Sequence, residues 1–333
     1  MLQRILVPLD GSRLAETALP YALTCAQATE SQVILVHVLP ATKDGGSDAH
    51  TVDPLDWRLR KLEANMYLEE MSARFVDAGV EADSVLLLGE AAERIVEFAR
   101  ERDVELIVMS SHGKTGLSSW NVSSVVQKVL LTTHTSMMVI PAYYARGVSF
   151  GRLRFRRIAV PLDGSQRAEC VVPIVKAFVQ AHGAEAALVT AVARPEMVRR
   201  APLSADDTAL TDEIVARNRA AADKYLTHLK TRVGSEASTH LLVSDDVTES
   251  LHEFVRRNEA DLVVFSAHGS SGNRKRRYGS IVTNFIAYGS APMLIIQDIP
   301  AEEMEKTAAE VIAEENAYNG MGARTVINAP AAA

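Results

Sequence analysis

Apolar residues in this chain follow two alternating rhythms. Short runs at 4–9, 31–39, 85–88, 105–109 and 137–140 are apolar at most positions and rich in β-branched residues. Such runs read as strands buried on both faces. Between them, apolar residues return every third or fourth position: Leu14, Ala18, Ala22 and Ala26, then the segment 54–78, then Ile95, Phe98 and Ala99 within 91–102, and finally 123–132. These segments predict helices, with Pro54 suited to a first turn. Residues 41–51 and 110–122, rich in Gly, Ser and Asp or in small residues, read as loops.

The same order then returns. Strands are predicted at 157–162, 187–192, 240–243, 261–265 and 293–296, helices at 167–181, 206–232, 248–258 and 280–288, and a loop at 266–278. Even the wording repeats, since Arg4-Ile-Leu-Val-Pro-Leu-Asp-Gly-Ser12 comes back as Arg157-Ile-Ala-Val-Pro-Leu-Asp-Gly-Ser165. A period near half of 333 residues is a domain, not a solenoid unit. The chain therefore reads as two α/β domains, each a parallel sheet between helices: 1–142, a linker at 143–156, 157–299, and a segment at 300–333 with an acidic helix at 301–317 and a loose tail.

Composition narrows the function. Hydrophobic residues make up 47%, charged residues 23%, and mean hydropathy is +0.02, the profile of a folded soluble protein. No apolar run spans a bilayer and the start lacks a signal-peptide pattern, so the expectation is a cytoplasmic protein. A net charge of −7 argues against nucleic-acid and membrane-surface partners. Cys25 and Cys170 share no CxxC spacing and read as reduced and structural, and the histidines show no zinc-ligand spacing, so no metal is expected.

In a doubly wound sheet, ligands bind beyond the carboxyl ends of the strands, where the winding reverses. Asp10 and Asp163 end the first strand of each copy, and the small-residue loops from Ser110 and Ser266 follow the fourth. Each loop leads into a helix amino terminus, whose amides and dipole suit phosphate oxygens. Turn formation is the competing role for each Asp-Gly-Ser. His112 and His268 recur at equivalent places without a partnered nucleophile and read as loop anchors. Gly113-Lys-Thr115 looks like the end of a Walker loop, but Val108 occupies the leading glycine's place, so that motif fails. The run 274–277, with Lys114 as its nearest counterpart, is either a triphosphate neutraliser or an exposed charge run. Trp57 and Trp120 read as packing residues.

The Val-Pro-Leu-Asp-Gly-Ser start, the Leu-Val-His37-Val strand, the Leu-Gly89-Glu-Ala-Ala-Glu-Arg-Ile segment and Val-Met-Ser-Ser-His-Gly-Lys-Thr-Gly-Leu together resemble the universal stress protein family, over both copies. The resemblance implies two tandem doubly wound five-stranded parallel-sheet domains, adenine-nucleotide alpha-hydrolase-like, packed through their last strands as an internal pseudo-dimer, with room for a further homodimer. It also implies a non-enzymatic, ATP-responsive stress regulator, with or without Mg; an interaction scaffold with lost sites and a slow ATPase are the alternatives. The family's nucleotide binders carry Gly, two residues, Gly, nine residues, then Gly and Ser or Thr. Here Ser110, Gly113, Ser123 and Ser124 keep that spacing with one glycine of three, and Ser266, Gly269, Gly279 and Ser280 with two. By resemblance, Pro8, Asp10 and Val38 surround base and ribose, with Met109, Ser110, Gly113, Ser123, Ser124 and Val125 along ribose and phosphates. The second set is Pro161, Asp163, Val192, Phe265, Ser266, Gly269, Gly279, Ser280 and Ile281. The Cβ of Ser123 is expected to narrow the approach or disfavour the required φ, which makes the second site the better one.

Overall fold

The computed structural model describes residues 2–41, 53–114, 122–142, 148–195, 205–270 and 276–298. The strands are β1 (Arg4–Leu9), β2 (Gln32–Leu39), β3 (Ala82–Leu88), β4 (Leu106–Ser110) and β5 (Ser136–Ile140) in the first half. In the second they are β6 (Arg157–Pro161), β7 (Glu185–Ala193), β8 (Ala237–Ser244), β9 (Leu262–Ser266) and β10 (Met293–Ile296). The helices are α1 (Leu19–Thr29), α2 (Pro54–Asp77), α3 (Ala91–Glu101), α4 (Ser124–Thr132), α5 (Val172–His182), α6 (Ala205–Val233), α7 (Val247–Arg257) and α8 (Ser280–Tyr288). The predicted helix and tail at 300–333, residues 42–51 of the first predicted loop, Trp120, Arg274 and Lys275 lie outside the described residues.

All ten strands join one sheet in the order β3-β2-β1-β4-β5-β10-β9-β6-β7-β8. Every pairing within a half is parallel, and the seam between halves is antiparallel, with Met137, Met138 and Val139 opposite Ile295, Leu294 and Met293. Antiparallel pairing of equivalent strands is what a two-fold relation between the copies requires. Strand alternation then sorts side chains onto two layers. Ile5, Val7, Val33 and Leu35 pack under α1 and α2, while Leu6, Ile34, Val36 and Met109 pack under α3 and α4. Residues 148–156 are no slack tether: Phe155 is fully buried against Tyr21 of one half and Phe178 of the other, at ring centroids of 6.3 and 5.3 Å. Cys25 lies in the same layer, where burial pushes its thiol up to about 12, so it is inert. No helix among the described residues is long and apolar enough to cross a membrane.

Some boundaries differ from the sequence pattern for identifiable reasons. The outer strands β3, β7 and β8 are longer than predicted, because the exposed residues Asp83 and Ser84, Glu185 and Thr239 on these edge or near-edge strands break or bound the apolar runs. The first helix of each half does not begin at Leu14 or Arg167. A 3-10 turn (Ala15–Ala18, Ala168–Val171) precedes it, and Pro20 or Pro173 sits in its opening turn, where a missing N–H costs nothing.

The halves differ at the amino ends of the second half's strands. There Ala159 and Ala187 are paired neighbours, as Leu6 and Ile34 are in the first half. Ala260 likewise replaces Val104. The first half fills this space with apolar side chains, whereas the second leaves a cavity of about 350 Å³ beside Phe254 and His240. Filling it through Ala159→Leu with Ala187→Ile should raise stability by about 0.5–2 kcal/mol, read as a higher urea midpoint at unchanged slope.

Candidate functional site

Each crevice starts with a turn. Gly11 and Gly164 adopt φ of 77° and 81°, a region that favours glycine, immediately after Asp10 and Asp163. One carboxylate oxygen of each aspartate accepts from the amide two residues on, Ser12 or Ser165, at 3.0 Å. The turn role is therefore real, but it uses only one oxygen. The other reaches across the switch point between β1 and β4, or β6 and β9, and accepts from the loop amide of Lys114 or Ser270 at 2.5 Å. This reach explains the adjacent glycine: a Cβ on Gly113 or Gly269 would stand 2.2 Å from the aspartate oxygen. Burial pushes the Asp163 carboxyl up, but the Ser165 hydroxyl and the amides of Ser270 and Ser165 outweigh it and hold the pKa below the usual carboxylate value.

The far wall is the amino end of α4 or α8. Ser123 and Gly279 cap these helices with almost the same backbone, φ −71° and −65°. Both angles suit any residue, so the expected φ penalty at Ser123 does not arise. Its hydroxyl accepts from the Val126 amide at 3.4 Å, and a Cβ at Gly279 would meet nothing nearer than 3.6 Å.

In the second half, Pro161, Asp163, Phe265, Ser266, Gly269, Gly279, Ser280 and Ile281 all line one crevice of about 130 Å³. Val192 does not line it and is corrected to Ala191. The register pairs Pro8 with Val36 and Pro161 with Val189, so Val38 matches Ala191, and a slip of one residue turns a side chain to the other face. In the first half, Pro8, Met109, Ser110 and Gly113 occupy the corresponding strand ends and loop, and Val38 and Val125 pack against the α3–α4 layer. Ser124 opens α4. Sequence reasoning missed Val247 and Leu251, which supply the crevice's apolar wall from α7. Leu251 falls within the predicted helix 248–258 and Val247 just before it, and the local pattern does not say what either side chain faces.

It also missed Asp298. His268 is buried beneath the second crevice, with one ring nitrogen 2.8 Å from an Asp298 oxygen and the other 2.5 Å from the Arg276 carbonyl. The His268 amide donates to the same Asp298 oxygen at 3.1 Å, and Arg167 stands 3.9 Å from the other. His268 thus anchors its loop. His112 is held differently, by the Ser111 hydroxyl at 3.0 Å, because Ala142 and Leu14 stand where the second half has Asp298 and Arg167. Burial alone would lower the His268 pKa, but the Asp298 carboxylate and the Arg276 carbonyl outweigh it and raise it above the usual value.

Taken together, the geometry is that of a duplicated doubly wound α/β protein with an aspartate facing a helix-capping, amide-lined loop in each half, a form suited to a nucleotide or another phosphate-bearing ligand. The universal stress protein family model matches residues 1–141 and again 154–297. The chain belongs to that family. Universal stress protein MJ0531 of Methanocaldococcus jannaschii is 30% identical over 138 residues, covering 41% of this chain and 81% of its own. Universal stress protein MJ0577 of the same organism is 28% identical over 154 residues, covering 42% and 95%. Among solved structures, a universal stress protein from Archaeoglobus fulgidus aligns over 89% of this chain and 98% of its own, with a TM-score of 0.59 at 18% identity, which speaks to the fold.

A raised histidine pKa stabilises the fold fully below the unfolded value, about 6.5, and that contribution fades as pH climbs through the folded one. Half-buried His37 and His182, held below their usual pKa, tilt the thermal midpoint upward with pH, and against that background His268 contributes a downward slope from about pH 6 to 8. Asp298→Asn should flatten that slope and cost about 1–3 kcal/mol at the acid end.

Proposed function

We propose that this chain is an adenine-nucleotide-responsive stress protein that acts by binding and not by catalysis, with ATP held chiefly in the second crevice. The observation that carries the reading is the convergence of the Asp163 carboxylate, the Ser270 amide and the capping turn at Gly279 on one partly apolar crevice. Apolar side chains at Phe265, Val189 and Ala191 suit the face of a base, and the α8 amino end suits phosphates. Asp163 and the loop amide of Ser270 are bonded to each other across the crevice. A ribose or base donor would take the carboxylate, and phosphate would take the amide. That exchange frees and reorders the loop, altering the surface presented to partners. His268 supports a binding role over a catalytic one, since both its nitrogens are committed to holding the loop and neither is left as a base.

ATP at 100 times its dissociation constant should raise stability by about 2.7 kcal/mol, seen as a thermal shift of the full chain. Gly279→Asp fits sterically and still caps α8, but sets a negative charge where phosphates approach. It should weaken binding in titration calorimetry more than Ser123→Asp does. A protein that shows neither a shift nor bound nucleotide on purification is a scaffold instead, and ATP hydrolysis above a buffer blank would place it among enzymes.

A further inference from the structure

The hollow beneath α7 differs from the first half by more than lost volume. Where Leu6, Ile34 and Val104 have become Ala159, Ala187 and Ala260, other residues around the same space have become polar. Register places His240 beside Val189 as Val85 stands beside Val36, so a histidine replaces a core-packed valine on this face of the sheet. By the same register Glu185 takes the place of Gln32. At the last turn of the equivalent eleven-residue helices, Arg257 takes the place of Glu101. A loss of packing needs only the alanines. A void that also gains an imidazole, a carboxylate and a guanidinium is built like a pocket.

Its volume, about 350 Å³, suits a small organic molecule, and it lies at the opposite end of α7 from the Asp163 crevice. Val247 and Leu251 face the crevice, whereas Phe254, Arg257 and Asn258 face the hollow. The alanines leave room on the sheet for an apolar group. Beside it stands the Phe254 ring, with the His240 ring against it at a centroid distance of 4.9 Å. These walls are held in place without a ligand, since His240 Nε2 lies 2.9 Å from the Ser238 hydroxyl and the Asn258 side-chain amide donates to the Phe254 carbonyl at 2.9 Å. The rim carries both signs of charge. Arg157 donates to Glu259 at 2.9 Å and Arg257 is paired with Glu253, yet a guanidinium has five donors and keeps some for a further carboxylate. Glu185 opens β7 on the face of Ala187, and among the described residues no cation lies within 4.0 Å of it. A simple anion would meet Glu185, and a simple cation would meet two guanidinium groups. Only a ligand bearing both charges suits the whole rim.

We propose that this cavity is a second ligand site, for a free amino acid with an aromatic or branched apolar side chain. The side chain lies over Ala159 and Ala187 against Phe254, Glu185 takes the ammonium, and Arg257 takes the carboxylate. The site stands apart from the Asp163 crevice and does not depend on the nucleotide reading.

The test titrates full-length protein by calorimetry with L-phenylalanine and L-leucine, and with 2-phenylethylamine and 3-phenylpropanoate, which keep the ring but carry one charge each. Saturable heat is expected from at least one amino acid, with each single-charge compound binding about tenfold more weakly than L-phenylalanine, the scale of one lost charged hydrogen bond. Ala159→Leu with Ala187→Ile fills the hollow and should abolish the heat. Glu185→Gln, which restores the first half's residue, should weaken the amino acid about tenfold and leave 3-phenylpropanoate no weaker, a split that a merely structural role would not give. If the filled variant does not fold, Glu185→Gln decides alone. Heat that survives filling puts the ligand elsewhere and overturns the site. Single-charge compounds that bind as well as L-phenylalanine, or a Glu185→Gln variant that binds the amino acid unchanged, overturn the assignment of a zwitterion, and no heat from any of the four overturns the proposal.

Discussion

The hydrogen-bond ladder between β5 and β10 is the constraint on which the rest of this molecule depends. Without it, each half would end in an apolar edge strand, broken only by Ser136 at the start of β5, an open invitation to pair with another chain. Covalent tethering makes the partner strand intramolecular, so a short ladder suffices to close both edges. Residues 148–156 reinforce the seam by inserting Phe155 between the first helices of the two halves.

Duplication supplies a control within one chain, because the backbone is held nearly constant while side chains change. Where the first half has Leu6 and Ile34, the second has Ala159 and Ala187, and a cavity opens although the strand register is the same. Where the second half has Asp298 and Arg167, the first has Ala142 and Leu14, and the same histidine is held by a serine instead of a carboxylate. Buried charge is costly unless well paired, and here the carboxylate has a histidine ring and a backbone amide on one oxygen and a guanidinium near the other.

Much of the site was legible because its parts are local. Asp-Gly-Ser declares a strand end and a turn within three residues, and the small-residue loop declares a helix cap. The error at Val192 shows the limit of such reading: a strand's identity was clear, but the face of one residue depends on register, which is set by the neighbouring strand. The expectation of an unfavourable φ at Ser123 failed for a related reason. The family pattern names glycine, but the φ of −71° at that position makes no demand for it.

The sequence by itself determined the alternation of strands and helices, the duplication, and the residues that end the first strand of each half. All follow from periodicities and turn chemistry that act over a few residues. Only the tertiary structure decided that Asp298 would seat His268 and that Ala191 would face the crevice. Those contacts join residues far apart in the chain, and their geometry exists only once ten strands share one sheet.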